Sequence, residues 1–190
     1  MTKIVLVRHA PVKIDPNTRA DTWDLSPESK QLCQALAAAI RVYNLQWIYT
    51  SSEPKAIQTG AFIAHSLGIE RITAPHLQET ERHTKHFYAS QDNFRAAVRQ
   101  AMSEPDKVVF GDEAFSVART RLEKQLARLA DNHTGKTFGV VSHGRILAMF
   151  LGKVLAQSPI SIWENLKMPA YAVLSWDKMK IETLVNSVEG

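Results

Sequence analysis

The sequence predicts an α/β fold: a three-layer α/β/α sandwich built on a mainly parallel central sheet. Short β-branched apolar runs, "KIVLV" at 3–7, "WIYT" at 47–50 and "TFGVV" at 137–141, alternate along the chain with stretches of helical periodicity. The runs are apolar at successive positions rather than at every second one, as strands covered by helices on both faces require. A length of 190 residues with 45% hydrophobic content is enough for one full core, so a single domain over 1–190 is expected.

Residues 3–7 form the first strand. The following "HAPVKIDPNTRADTWDL" carries two prolines and several Asp, Asn and Thr residues, which favour turns, and is expected to be loop. From Ser26, "SPESKQLCQALAAAIRVY" offers a serine N-cap, a proline at the first helical position and apolar residues at Leu32, Leu36, Ala39 and Ile40, predicting an amphipathic helix. Cys33 falls within that pattern as a core residue.

"WIYT" is the second strand, and "SSEPKAIQTGAFIAHSL" after it has serine caps, an early proline and helical spacing at Ala56, Ile57, Phe62 and Ile63. A short strand is expected at 71–73, no regular element at the polar 76–90, and helices at 91–103 and 113–131. The second of these helices presents Phe115, Ala118, Leu122, Leu126 and Leu129 on one side. "KTFGVVSHGRILAMFLGKVLA" predicts a strand, a polar turn at His143 and Gly144, and a helix. "AYAVLSW" and "IETLVNS", separated by "DKMK", pair as a hairpin.

Composition narrows the function classes. The 23 basic and 19 acidic residues give a net charge of +4 and are scattered, which favours a solvated surface with one positive pocket over a nucleic-acid binder. One cysteine excludes an intrachain disulfide framework and a multi-cysteine zinc site. No stretch approaches the roughly 20 apolar residues that span a bilayer, so no membrane partner is expected and the expected location is the cytoplasm. The oligomeric state stays open, with a homodimer through "AYAVLSW" as a sheet-edge strand one arrangement.

Three strand ends carry polar groups: Arg8 and His9, then Ser51, Ser52 and Lys55, then Ser142 and His143. In a parallel sheet these converge beyond the carboxyl ends, where ligands bind. Arginine grips a tetrahedral oxyanion with a planar fork, lysine adds a point charge, and helix N-termini donate N–H groups. The pattern points to a phosphoryl group. A neutral histidine beside it can attack phosphorus, and a protonated one can stabilise the charge of the transferring group. A leaving alkoxide also needs a proton from a carboxylic acid of raised pKa. Glu79 in "LQETER" is one candidate, though spacing does not select it over Glu53 or Glu81.

"LVRHA", "TSSEPKAIQT", "HLQE" and "VVSHG" occur in the order of the motifs of the histidine phosphatase superfamily. Over residues 2–150 the chain resembles its phosphoglycerate-mutase-like branch. The resemblance implies a phosphoglycerate-mutase-like sandwich, with His9 as phosphorylated nucleophile, Arg8 as phosphate ligand, His143 as the second pocket histidine and Glu79 as general acid. Lys55 stands where many members have a second arginine, and Ser51 joins the phosphate-binding set. Ala10 replaces a common glycine, and the Asn and Trp pattern of many mutases is not reproduced in "PVKIDPNTRADTW".

A lone histidine at a strand end is more often a satisfied polar residue than a nucleophile; here the joint context with Arg8, Lys55 and His143 decides for catalysis. His76, His83 and His86, with Glu79 and Glu81, suggest a metal site, but without a helical HExxH pattern or a cysteine no metal is expected. Arg82 and His83 are assigned instead to the distal part of the substrate, and the four tryptophans to core or rim packing. The expected activity is hydrolysis of a small phosphorylated metabolite through phosphohistidine, without cofactor. The alternatives are a mutase-type phosphotransferase, a phosphohistidine phosphatase acting on phosphoproteins, or a non-catalytic phospholigand-binding protein on the same scaffold.

Overall fold

A computed structural model describes residues 1–83 and 88–189. The first apolar run is strand β1 (Lys3–Arg8), whose four central residues are buried. Alternate side chains of a strand point to opposite faces. Ile4 and Leu6 therefore enter one core, while Val5 and Val7 enter another.

Along the chain follow α1 (Ser29–Ile40), β2 (Trp47–Thr50), α2 (Pro54–Leu67), β3 (Glu70–Thr73), α3 (Gln91–Ser103) and α4 (Phe115–Asn132). Then come β4 (Thr137–Ser142), α5 (Gly144–Leu155), α6 (Pro159–Asn165), β5 (Ala170–Ser175) and β6 (Lys180–Val185). The sheet order is β3-β2-β4-β1-β5-β6. β3, β2, β4 and β1 are mutually parallel, and β5 runs antiparallel to both β1 and β6. Leu36, Ile40 and Ile63 of α1 and α2 pack on one face of this mixed sheet. Val98, Leu122, Leu147 and Ile162, from α3, α4, α5 and α6, belong to the core on the other. The α/β sandwich expected from the alternation is the fold observed.

Four local expectations are corrected. α1 starts at Ser29 rather than directly after Ser26, because the Ser26 and Ser29 hydroxyls are drawn to the Pro11 carbonyl, at 3.4 and 2.6 Å, instead of capping the helix. On the same helix Ala37 is buried and Ala39 exposed. The N-cap of α2 is Glu53, not a serine. β5 is interior, with all six residues buried between β1 and β6, so the exposed sheet edge on that side is β6. The short α6, opened by Ser158 and Pro159, escaped the sequence pattern because its seven residues make only two turns. Cys33 is buried as expected, and burial pushes its thiol pKa up to about 12. No helix of the described residues is long and apolar enough to cross a membrane.

Candidate active site

The parallel ladder brings the strand ends together. Arg8 is in register with Ser142 across β1 and β4, and Thr50 with Val141 across β2 and β4. The ladder runs one residue beyond the strands, the His9 N–H bonding to the Ser142 carbonyl at 3.1 Å and the Ser51 N–H to the Val141 carbonyl at 3.0 Å. His9 and His143 therefore leave the sheet side by side, with ring centroids 5.2 Å apart at an interplanar angle of 62°. They share a cavity of about 570 Å³ with Arg8, Lys55, Glu53 and Glu79.

His9 is buried, and its Nδ1 lies 2.7 Å from the Ala10 carbonyl. A carbonyl only accepts, so Nδ1 carries the hydrogen and Nε2 keeps a free lone pair. Burial, followed by the charges around His143, Lys55 and Arg8, holds its pKa well below the ordinary value. The ring is a neutral, oriented base at pH 7. Ala10 is fully buried, its N–H bonds to the Thr59 hydroxyl at 3.1 Å, and its φ is not positive. Alanine at this position therefore costs no backbone strain.

Arg8 donates through Nη1 to the Leu166 carbonyl, while its buried Nε has no protein partner. Burial is the main force lowering its pKa to about 10, with Glu79 opposing and Arg145 assisting. The guanidinium rests against Gly144, where a Cβ would come within 2.8 Å of Arg8 Cζ. Lys55, in the first turn of α2, bonds to the Ala20 carbonyl at 2.6 Å and pairs with Glu53 Oε2 at 2.5 Å.

Two expected roles change in detail. Ser51 is fully buried and does not line the cavity; its hydroxyl lies 2.8 Å from His143 Nε2, behind that ring. Glu79 was expected to have a raised pKa, and the shift is the opposite. Burial alone would raise it, but Arg145, His143 and the N–H groups of Arg145 and Thr80 outweigh burial. One carboxylate oxygen accepts from Thr80 and Ile146 N–H at 2.9 and 3.0 Å, and the other from Arg145 N–H at 2.9 Å. The otherwise unbonded donors of the first turn of α5, with their dipole, hold an anion there. Arg121 fixes the loop that carries it, donating to the Gln78 and Glu79 carbonyls at 2.8 and 2.7 Å.

Farther out, the Arg82 guanidinium lies 5.2–5.8 Å from the ring centroids of Tyr88, Phe94 and Phe110. Its Nη1 is buried without a hydrogen-bond partner. His83 is placed on the rim, where Nδ1 meets Arg19 Nη2 at 2.6 Å and lies 3.6 Å from Asp21. Trp23 and Trp163 line the cavity, and Trp47 and Trp176 pack on the core. The described residues contain no group of three or more His, Cys, Asp or Glu side chains placed to hold a metal. His86 lies outside them.

The sequence pointed to Glu53 only as an alternative acid and did not point to Arg145. Arg145 lies beside Glu79, its Nε bonding to Thr80 at 2.8 Å and its guanidinium standing over Phe110 at 4.9 Å. Its position two residues after the late histidine was the available signal.

The family model for the histidine phosphatase superfamily (branch 1) matches residues 4–185. The chain belongs to that superfamily. No curated protein matches it in sequence. Among solved structures it is similar to a phosphoserine phosphatase mutant from Entamoeba histolytica in complex with phosphoserine, with 21% identity, a TM-score of 0.73 and coverage of 100% of this chain and 98% of that one. A mycobacterial glucosyl-3-phosphoglycerate phosphatase gives 17% identity, a TM-score of 0.76 and coverage of 98% and 99%. A putative alpha-ribazole-5'-P phosphatase from Escherichia coli gives 15%, 0.73 and full coverage of both chains. At these identities the likeness is one of fold. In this histidine phosphatase superfamily member His9, His143, Lys55 and the Glu53 carboxylate line one cavity.

Proposed function

We propose that this protein is a phosphoric monoester hydrolase that acts on a small phosphorylated metabolite through a phosphohistidine at His9. One observation carries the reading: His9 is held neutral with Nδ1–H on the Ala10 carbonyl, leaving Nε2 as nucleophile in a cavity shared with Arg8, Lys55 and His143. In the first step Nε2 attacks phosphorus and the ester oxygen leaves with a proton. Arg8, Lys55 and His143 hold the equatorial oxygens. In the second, water attacks the phosphohistidine and phosphate departs.

Glu79 supplies the leaving-group proton. It is an anion in the empty site and accepts its proton as the phosphoryl group arrives, because added negative charge raises a neighbouring carboxyl pKa. Arg82, beside the aromatic wall, addresses the distal part of the substrate, with His83 at the rim. No step calls for a metal or cofactor, and the location assigned is the cytoplasm.

The test is phosphate release from an aryl phosphate, with and without chelator, by the wild type and His9→Ala. Release by the wild type in chelator, abolished by the substitution, supports the reading; a wild type that releases none overturns it. Acid-labile, base-stable label on the wild type after a quench would identify the phosphohistidine.

A further inference from the structure

Glu53 precedes α2, and its side chain is only 9% exposed. Oε1 accepts the Glu79 N–H at 2.8 Å and lies 3.3 Å from His143 Nε2, while Oε2 meets Lys55 Nζ at 2.5 Å. A carboxylate in a phosphate pocket repels the ligand, so its retention at the junction of three site residues calls for a physical reason. We propose that Glu53 is a positioning residue that holds His143 as the Nε2–H tautomer and clamps Lys55, leaving His143 Nδ1 for the phosphoryl group. The identity of the ligand, though not the tautomer, rests on the hydrolase reading above.

Lone pairs select the tautomer. Nε2 of His143 faces the Ser51 hydroxyl at 2.8 Å and the Glu53 carboxylate at 3.3 Å. The carboxylate only accepts, and Ser51 Oγ, which takes the Glu53 N–H at 3.2 Å, has a second lone pair to offer. A bare Nε2 would set its lone pair against an anion, so the hydrogen resides there. Nδ1 is then bare, and it is buried without a protein partner. To donate to a phosphoryl oxygen, Nδ1 must gain a proton and the ring must become imidazolium.

Lys55, Arg145 and Arg121 oppose that charge and Glu79 favours it, with burial the largest opposing force. His9 faces the ring from the end of β1, the Arg8 guanidinium lies against the adjacent Gly144, and Arg121 is paired with Glu113 at 2.6 Å. Glu53 lies in contact with both Lys55 and His143, so it offsets the lysine charge and stabilises an imidazolium directly. Arg8, Lys55 and Arg145 against Glu53 and Glu79 leave a net charge of +1 on the inner site. A phosphoryl dianion that arrives with two protons, one for His143 Nδ1 and one for Glu79, leaves that charge unchanged. The substrate monoanion brings one of these protons and water the other.

Nitrogen-15 spectra of the imidazoles, with His143→Asn to assign the resonance, read the tautomer without turnover. The wild type should carry its proton on Nε2, and saturating inorganic phosphate should raise the titration point of the ring. In Glu53→Gln that rise should shrink by about one pH unit, and the alkaline limb of kcat should move down equally; Glu53→Asp should recover part of both. A merely structural role would lower the folded fraction and leave the limb in place. A proton on Nδ1 in the wild type, or an unmoved limb in Glu53→Gln, overturns the proposal. A wild type that hydrolyses no aryl phosphate overturns the hydrolase reading instead, because the tautomer is read without substrate.

Discussion

The rings of His9 and His143 meet edge to face at 5.2 Å because their strands end in register, Arg8 opposite Ser142. Both are neutral, one holding its proton on Nδ1 and the other on Nε2, so neither competes for the other's hydrogen bond. His143→Asn should keep the fold and lower kcat by about 10²–10³, the usual cost of removing one donor to a developing oxyanion. Steady-state kinetics beside the near-total loss in His9→Ala checks this.

Glu79→Gln should reveal its role through the leaving group. Loss of a general acid costs about 10²–10⁴ when the leaving oxygen is basic and far less when it departs readily as a phenolate. An alkyl phosphate should thus lose at least about tenfold more activity than p-nitrophenyl phosphate in this variant. Equal losses on the two substrates would assign Glu79 to holding the first turn of α5 instead.

Gly144 is where a single methyl group would act on phosphate binding alone. Its Cβ would stand 2.8 Å from Arg8 Cζ, at the far end of a flexible side chain. Gly144→Ala should leave the melting temperature nearly unchanged while raising the inhibition constant of inorganic phosphate by about tenfold, the value of one misplaced charge-assisted contact. Phosphate inhibition measured in parallel with thermal melting decides it.

The buried Lys55–Glu53 pair makes a stability prediction. Lys55→Met leaves a carboxylate in a site that is 9% exposed, and breaking such a pair costs about 3–5 kcal/mol. Adding Glu53→Gln should restore much of that loss. A denaturant double-mutant cycle reads the coupling, which should be well above the roughly 0.5 kcal/mol expected of independent sites.

Both pocket histidines have pKa values below the ordinary 6.5 in the folded chain. The unfolded chain therefore binds more protons between that value and the folded ones, and stability must fall as pH drops through the window. The slope approaches about 1.4 kcal/mol per pH unit for each ring. Glu79, held below 4.5, adds a second loss at still lower pH. Urea melts from pH 7.5 to 5 should show the decline, and saturating phosphate should reduce it by favouring the charged rings.

The alternation of apolar runs and helical stretches, and the ordered motifs at Arg8–His9, Lys55, Glu79 and His143, were legible in the sequence because each depends on local periodicity or on a short turn at a strand end. That β5 is interior, that Ser51 stands behind His143 and that Glu79 is anchored as an anion at the start of α5 were not. Those facts depend on which distant segments meet: β5 beside β1, β2 beside β4, and the 77–80 loop over the first turn of α5. Glu53 belongs to the same class, a glutamate before a helix in the linear chain and a charge between Lys55 and His143 in the folded one. Patterns written in neighbouring residues were enough to reveal the fold and to single out His9 as the proposed nucleophile. Protonation states and hydrogen-bond partners were decided only by tertiary structure, because burial and charge act through space.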